Sequence, residues 1–258
     1  VDSFVEFGTD EGYGMVAWPT LEHPGEALLV GVPADTTGHY RVVVDGDEGL
    51  RASPDFTFHS DPAPDWLPEF VVAEDDGAPW GQVVLLSVIY ANADKDLVSA
   101  IVAVDRQARP VWWTEESRRE VHGARLSADG RAIMATWNEP QPEAPAVVAR
   151  IGFDGVVERT WSGMGLHHDF IELDDDHVAV LETDVREFEG EDLAGDNLVI
   201  LDADGGRQLV WSAWDTMTPV LHREWGIAMN SPARDWTHAN GVSFDAAHGQ
   251  YIISLYWY

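Results

Sequence analysis

A segment of about fifty residues recurs in the second half of this chain, and that period constrains the fold more than any other feature. Each copy holds an apolar, β-branched run, an aspartate turn, and a tryptophan seven residues after the aspartate. The copies are Ala100–Asp105 with Trp112, Val147–Asp154 with Trp161, and Leu198–Asp204 with Trp211. The anchors Asp105, Asp154 and Asp204 stand 49 and 50 residues apart. Each copy then reaches a histidine, His122, His168 or His238, followed seven residues later by Asp129, Asp175 or Asp245. A second apolar strand comes next, at 132–135, 178–181 and 251–254. Anchor and histidine are 17, 14 and 34 residues apart, which places an insertion of roughly twenty residues at about Ala213 to Arg234.

Several short strands per fifty-residue unit predict β-propeller blades. Helical repeats are disfavoured, because the runs are short, β-branched and bounded by Asp and Gly turns. A strand over Gln82–Ile89 is expected to open the first blade. About three blades are expected here, where closed propellers have four to eight. An incomplete ring would leave strand edges unpaired. The chain is therefore expected to be part of a longer protein, an expectation that the ending Tyr256-Trp257-Tyr258 in mid-strand favours.

The first 68 residues read differently. Short runs at Ala27–Val32, Tyr40–Val44 and Phe56–Phe58 lie between Gly-, Pro- and Asp-rich breaks, as in a small all-β sandwich. The stretch Gly31-Val32-Pro33 through Val44, with Tyr40, resembles a fibronectin type III strand entry. Ser60–Pro68, with three prolines, is the expected linker. The fold class is thus all-β: a fibronectin III or Ig-like sandwich over residues 1–68, then propeller blades over 69–258.

Composition narrows the partners. Fifteen basic residues stand against 46 acidic ones, a formal charge of −31, which repels nucleic acid and anionic membrane. No apolar run approaches the length of a membrane span. The opening Val-Asp-Ser-Phe has neither a basic nor an apolar leader region, so a signal peptide is expected to be removed or absent. With no cysteine, disulfides and thiolate metal sites are excluded. Asp174-Asp175-Asp176 and Asp202-x-Asp204-Gly205 have oxygen ligands for calcium, but turn formation is their expected role. Trp211, Trp214, Trp225 and Trp236 are candidates for an aromatic wall, with blade core the expected place of Trp211.

Two motifs carry the candidate chemistry. In Gly165-Leu166-His167-His168-Asp169-Phe170, His168 opens what would be the innermost strand of a blade. His122 and His238 hold the same place in theirs, so three imidazoles are expected to converge on one axis. Such a cluster can bind a metal, stabilise an anion, or act as nucleophile and acid/base. In Asp235-Trp236-Thr237-His238-Ala239-Asn240-Gly241-Val242, positions i and i+2 of a strand share a face, which points His238 and Asn240 at one place. The competing reading is structural: each histidine bonds a neighbouring blade and only holds the ring together.

These motifs resemble the bacterial arylsulfotransferases, the kind that use aryl sulfates rather than a nucleotide donor. That family joins a β-sandwich to a six-bladed propeller and carries a His-His-Asp stretch and a later Asp-Trp-x-His-x-Asn-(Ser/Gly)-Val segment. The resemblance covers roughly residues 75 to 258. It implies transfer of a sulfuryl group from a phenolic sulfate to a phenol through a channel histidine, with no cofactor, in an exported protein of the periplasm or cell exterior. Residue by residue it makes His168, His238 and Asn240 catalytic, and His122, His167 and Tyr256 substrate-binding, with no metal. Two departures stand out. The family's arginine, in Ile-Ile-x-Ser-x-Arg, is replaced by Tyr256, and the histidine that carries the group covalently lies further along the family's sequence than Tyr258. A catalytically lapsed propeller that binds a ligand or partner is therefore the alternative. A quinone-dependent dehydrogenase is a third reading, opposed by the His-x-Asn motif.

Overall fold

The structure is a computed structural model and describes residues 2–19, 24–47, 49–73, 83–91, 97–115, 120–138, 145–219 and 232–256. Among these the chain is all-β, with one four-residue helix. It divides into two compact units, residues 1–86 with 100–115, and residues 87–99 with 116–258.

In the first unit, β1 (Asp2–Gly8), β2 (Met15–Ala17), β3 (Thr37–Gly46) and β4 (Gly49–Ala52) pair in the order β2-β1-β3-β4, and β5 (Phe56–His59) also pairs with β3. Phe7, Ala17 and Val32 form its core, with Tyr40 and Phe58 packed against them. Tyr40–Val44 and Phe56–Phe58 are strand, as expected. Ala27–Val32 is not: these residues have no ladder partner, and Val32, Ala27 and Leu29 are apolar because they cover the core. A β-branched apolar run satisfies burial as readily as pairing.

The chain continues through β6 (Val83–Ala91), β7 (Leu97–Asp105) and β8 (Pro110–Glu115), one sheet in that order. Two four-stranded antiparallel meanders follow. The first is β9 (Glu120–Leu126), β10 (Ala132–Asn138), β11 (Ala146–Gly152) and β12 (Val157–Gly163). The second is β13 (Leu166–Glu172), β14 (His177–Phe188), β15 (Glu191–Asp202) and β16 (Arg207–Ser212). The helix α1 (Ala213–Thr216) opens the insertion, of which residues 220–231 lie outside the described residues. β17 (Arg234–Asp235) runs parallel to β15, and β18 (Ala239–Asp245) pairs with β19 (Gln250–Leu255).

The apolar run Val178–Leu181 shows why these sheets stack. Val178 and Val180 face the first meander, where they meet Met134, Val148 and Trp161, with Phe170 of β13 in the same cluster. Ala179 and Leu181 face the other way, toward Ala239 and Val242 of the β18–β19 hairpin. On β15, Val199 and Leu201 likewise lie on the first face and Leu198 on the second. A strand alternates faces at every residue, so a continuous apolar run is what a sheet buried on both sides requires. Each such side chain removed from water contributes about 1.5–3 kcal/mol.

The repeat has a physical basis, but not quite in the expected register. Asp105, Gly152 and Asp202 end β7, β11 and β15, and the N–H of each donates to the carbonyl of Arg109, Val156 or Gly206. The aspartates cap these turns: Asp105 Oδ1 accepts the N–H groups of Gln107 and Arg109, and Asp202 Oδ1 those of Asp204 and Gly206. Asp105 therefore corresponds to Asp202 rather than to Asp204. Trp161 and Trp211 pair with Val148 and Leu198, whereas Trp112 pairs with Ala103, one pleat nearer the turn. The pleat repeats every two residues, so Trp112 keeps its face while shifting along the strand.

Candidate functional site

The three histidines that recur in sequence meet in space, and each belongs to the first strand of its sheet or stands at its entry. His122 lies on β9, His168 on β13, and His238 immediately before β18. The His122 and His168 rings stack with centroids 5.6 Å apart, and the His168 and His238 rings meet edge to face at 5.9 Å.

Bulges produce this convergence. The β9–β10 register steps from Thr136↔Gly123 to Trp137↔Val121, leaving His122 as the extra residue. On β13 it steps from His167↔Leu181 to Phe170↔Val180, leaving His168 and Asp169. On β18 it steps from Ala239↔Leu255 to Gly241↔Ser254, leaving Asn240. A bulged residue is freed from the pleat and can be re-aimed. His168 and His238 also take left-handed backbone, φ 57° and 51°. For a non-glycine residue that costs of order 1–3 kcal/mol, and it persists only where the surroundings enforce it.

Those surroundings are visible. Asp169 Oδ2 accepts the N–H of Val242 at 2.9 Å, and its Oδ1 binds Arg125, so one carboxylate ties β13 to β18 and β9. Thr136 Oγ1 donates to the carbonyl of His168 at 3.1 Å. Gly123 leaves room beside it, since a Cβ there would stand in tight contact, 3.2 Å, with that same carbonyl oxygen.

His238 is gripped by Asp235, whose Oδ1 accepts its backbone N–H at 2.8 Å and whose Oδ2 meets Nδ1 at 2.6 Å. His167 is buried and bridges two groups: its Nε2 meets Asp196 Oδ1 at 2.9 Å and its Nδ1 meets His168 Nδ1 at 3.0 Å. His122 Nε2 lies 3.4 Å from Glu120. A small recess of about 10 Å³, enough for one water-sized group, opens among His167, His168, Thr183, Asp235 and His238.

The electrostatics disfavour a charge on two of these rings, His168 and His122. Burial pushes His168 down to about 4, helped by His167, His122 and His238, each of which disfavours a second positive charge. Burial also lowers His122, against the opposing pull of Glu120.

Asn240 does not join the point that the i, i+2 argument gave it. His238 precedes the strand and turns left-handed, so the two residues share no pleat. Asn240 is exposed and its amide donates to the carbonyl of His238 at 3.3 Å. Tyr256 does come close: its N–H reaches the carbonyls of Thr237 and His238, and its ring lies 5.6 Å from that of His238.

The acidic turns are turns. Asp174 caps its hairpin by accepting the N–H groups of Asp176 and His177. Of the described tryptophans, Trp236 is fully buried against Trp214, and Trp214 donates to the carbonyl of Asp184. Trp225 lies outside the described residues. Among the described residues, Glu11, His39 and Asp55 of the first unit also bring ligating atoms within 4.8 Å of one another, and there Asp55 is already bonded to His39 and to the Tyr13 hydroxyl. Two partners of the histidines were missed from sequence. Asp235 carries no signal of its own beyond its place in the Asp-Trp-Thr-His motif. Asp196 sits inside the apolar run Leu193–Leu201, and a charge placed there was the available signal.

Fold and site together define an all-β protein whose successive sheets bring together a cluster of histidines, with His167, His168 and His238 around one recess. The family model for arylsulfotransferase (ASST) matches residues 84–256, and the chain belongs to that family. No curated protein matches the sequence. Among solved structures, an ACO/RPE65 chimera and cobalt-substituted ACO from Synechocystis are each similar at 10% identity, with 99% of this chain and 78% of theirs covered. Their TM-score of 0.35 is too low to carry any argument about fold. Among the described residues no helix is long and apolar enough to cross a membrane.

Proposed function

We propose that this protein transfers a sulfuryl group from a phenolic sulfate ester to a phenol by way of a channel histidine, with the histidines at the recess binding the substrate and moving protons. The observation that carries this reading is the meeting of His122, His168 and His238, from three successive sheets, with Asp235 holding one ring and the His167–Asp196 pair meeting another. The family supplies the substrate class. Leaving and attacking phenols need a proton given and a proton taken. His238, oriented through Nδ1, is suited to one task, and His168, kept neutral, to accepting the other. His122 and Tyr256 would face the substrate, and Asn240, whose amide donates to the His238 carbonyl, would help to hold that residue in place.

The reading extends to architecture. The sheets β9–β12, β13–β16 and β18–β19 stack face to face in chain order with a histidine at each first strand, which supports blades of a propeller over residues 69–258. The Pro33-led turn and Tyr40, packed against Phe56 and Phe58, support a fibronectin III-like unit over 1–68. Export to the periplasm or cell exterior follows the family.

Tyr256 favours a second reading, a propeller that binds an aryl ligand without turning it over. It stands where the family carries an arginine, and a phenol supplies no cationic fork for sulfate. Nitrophenolate release from 4-nitrophenyl sulfate, with and without added phenol, separates the two. Release that rises with phenol and is lost in His238→Ala is expected. Binding without release would establish the second reading.

A further inference from the structure

Asp196 is a charged residue in the middle of an apolar strand, 3% exposed, and proton transfer as outlined above gives it no part. Both oxygens are engaged. Oδ1 meets His167 Nε2 at 2.9 Å, while Oδ2 accepts from the Thr237 hydroxyl at 2.6 Å and the Ala239 N–H at 2.7 Å. Burial alone would raise this carboxyl, but the bonds from His167, Thr237 and Ala239 outweigh it and hold it below the ordinary value. An ionised carboxylate only accepts, so His167 carries a hydrogen on Nε2.

That assignment reaches the next ring. His167 Nδ1 and His168 Nδ1 are 3.0 Å apart, and a hydrogen bond between them needs one donor and one acceptor. With His167 neutral, His168 is the donor and its Nε2 carries a lone pair. With His167 protonated, His167 is the donor and the hydrogen of His168 sits on Nε2.

We propose that Asp196, His167 and His168 form a proton relay: a proton accepted at His168 Nε2 is matched by transfer of the Nδ1 hydrogen of His168 to His167 Nδ1. At the end His168 is neutral with hydrogen on Nε2, His167 is an imidazolium, and Asp196 remains a carboxylate. One proton enters and nothing is oxidised. The proton's source, the acceptor phenol, rests on the proposed sulfuryl transfer; the relay itself does not. It resolves a conflict in the site. His168 faces His122 from β9 and His238 with Asp235 from the entry to β18, and it adjoins Asp169, itself bonded to Arg125. A cation on His168 is disfavoured there, whereas on His167 it lies against Asp196. Asp196 is thus a positioning residue, and it fixes His238 as well, because Thr237 and Ala239 flank that residue.

The test is histidine nitrogen NMR on the full chain, with resonances assigned by His167→Gln and His168→Gln. At about pH 8 His167 should show the Nε2–H tautomer and His168 the Nδ1–H tautomer. On acidification the first proton taken by the pair should appear on His167, while His168 switches to Nε2–H and stays neutral. His168 becoming imidazolium before His167, or showing Nε2–H at about pH 8, would overturn the relay. In Asp196→Asn the switch should move to lower pH, and kcat for phenol-dependent transfer should fall about 10²-fold with KM little changed. If that variant does not fold, the wild-type tautomers and His167→Gln, in which His168 should take the proton itself and become the imidazolium, still decide. The stated tautomers without any sulfuryl transfer would remove the proposed function and leave the relay standing. Transfer with His168 locked as Nε2–H would do the reverse.

Discussion

Asp235 holds His238 twice, through the ring Nδ1 at 2.6 Å and the backbone N–H at 2.8 Å, so one carboxylate sets both the imidazole's orientation and its left-handed backbone. Asp235→Asn preserves the shape and replaces one accepting oxygen with a donor, leaving the ring free to take the wrong tautomer. A general acid or base contributes about 10²–10⁴-fold to rate. His238→Ala should cost that much in kcat for phenol-dependent nitrophenolate release, and Asp235→Asn a substantial part of it, with the fold retained by circular dichroism. An unchanged rate in both variants would remove His238 from the reaction.

His168 gives a pH signature in stability. Its value in the folded chain is pushed down to about 4 from an ordinary 6.5. Between those values the unfolded chain binds a proton that the folded chain refuses, so stability falls as the pH drops from 6.5 and the loss is complete below about 4. His122, lowered chiefly by burial, acts with the same sign. Urea midpoints at about pH 7 and about pH 4.5 should therefore separate more for the wild type than for His168→Gln, since the carboxylates contribute to both alike. Equal separations would mean that His168 is not held neutral.

Tyr256→Arg tests the departure from the family. The ring of Tyr256 lies against His238 yet the residue is 66% exposed, so a longer cationic side chain has room. A hydrogen bond to a charged group contributes about 1.5–3 kcal/mol, and 1.4 kcal/mol is tenfold. KM for an aryl sulfate should fall about tenfold or more. No change would place the sulfate away from this residue.

Trp161 tests the packing between the two meanders. It is 1% exposed, lies among Met134, Val148, Phe170 and Val180, and donates through Nε1 to the Asp176 carbonyl at 2.8 Å. Trp161→Ala should cost about 3–5 kcal/mol in denaturant unfolding. A much smaller loss would mean that the sheets do not share this core.

How far the site could be read in advance depended on chain separation. The recurrence of His122, His168 and His238 was legible, because a repeated fold places repeated residues at equivalent positions. The matching of Trp112 with Trp161 and Trp211 was not, because equal spacing in sequence can hide a one-pleat shift along a strand. Asp196 escaped notice because its meaning depends on His167, Thr237 and Ala239, which reach it only across neighbouring strands. Ala27–Val32 was misread because a segment covering a core and a segment pairing in a sheet carry the same residues.

By itself, then, the sequence determined the all-β class, the repeating unit and the histidines that recur in it, since these follow from local alternation, turn chemistry and periodicity. The tertiary structure decided which side chains meet. The bulges at His122, His168 and Asn240, the left-handed turns of His168 and His238, and the carboxylates that brace them are held by hydrogen bonds within the strand entries and between sheets. Such bonds form only once the apolar faces at Val178–Leu181 and Val199–Leu201 have been buried, because a buried polar group must then find its partner within the protein rather than in water.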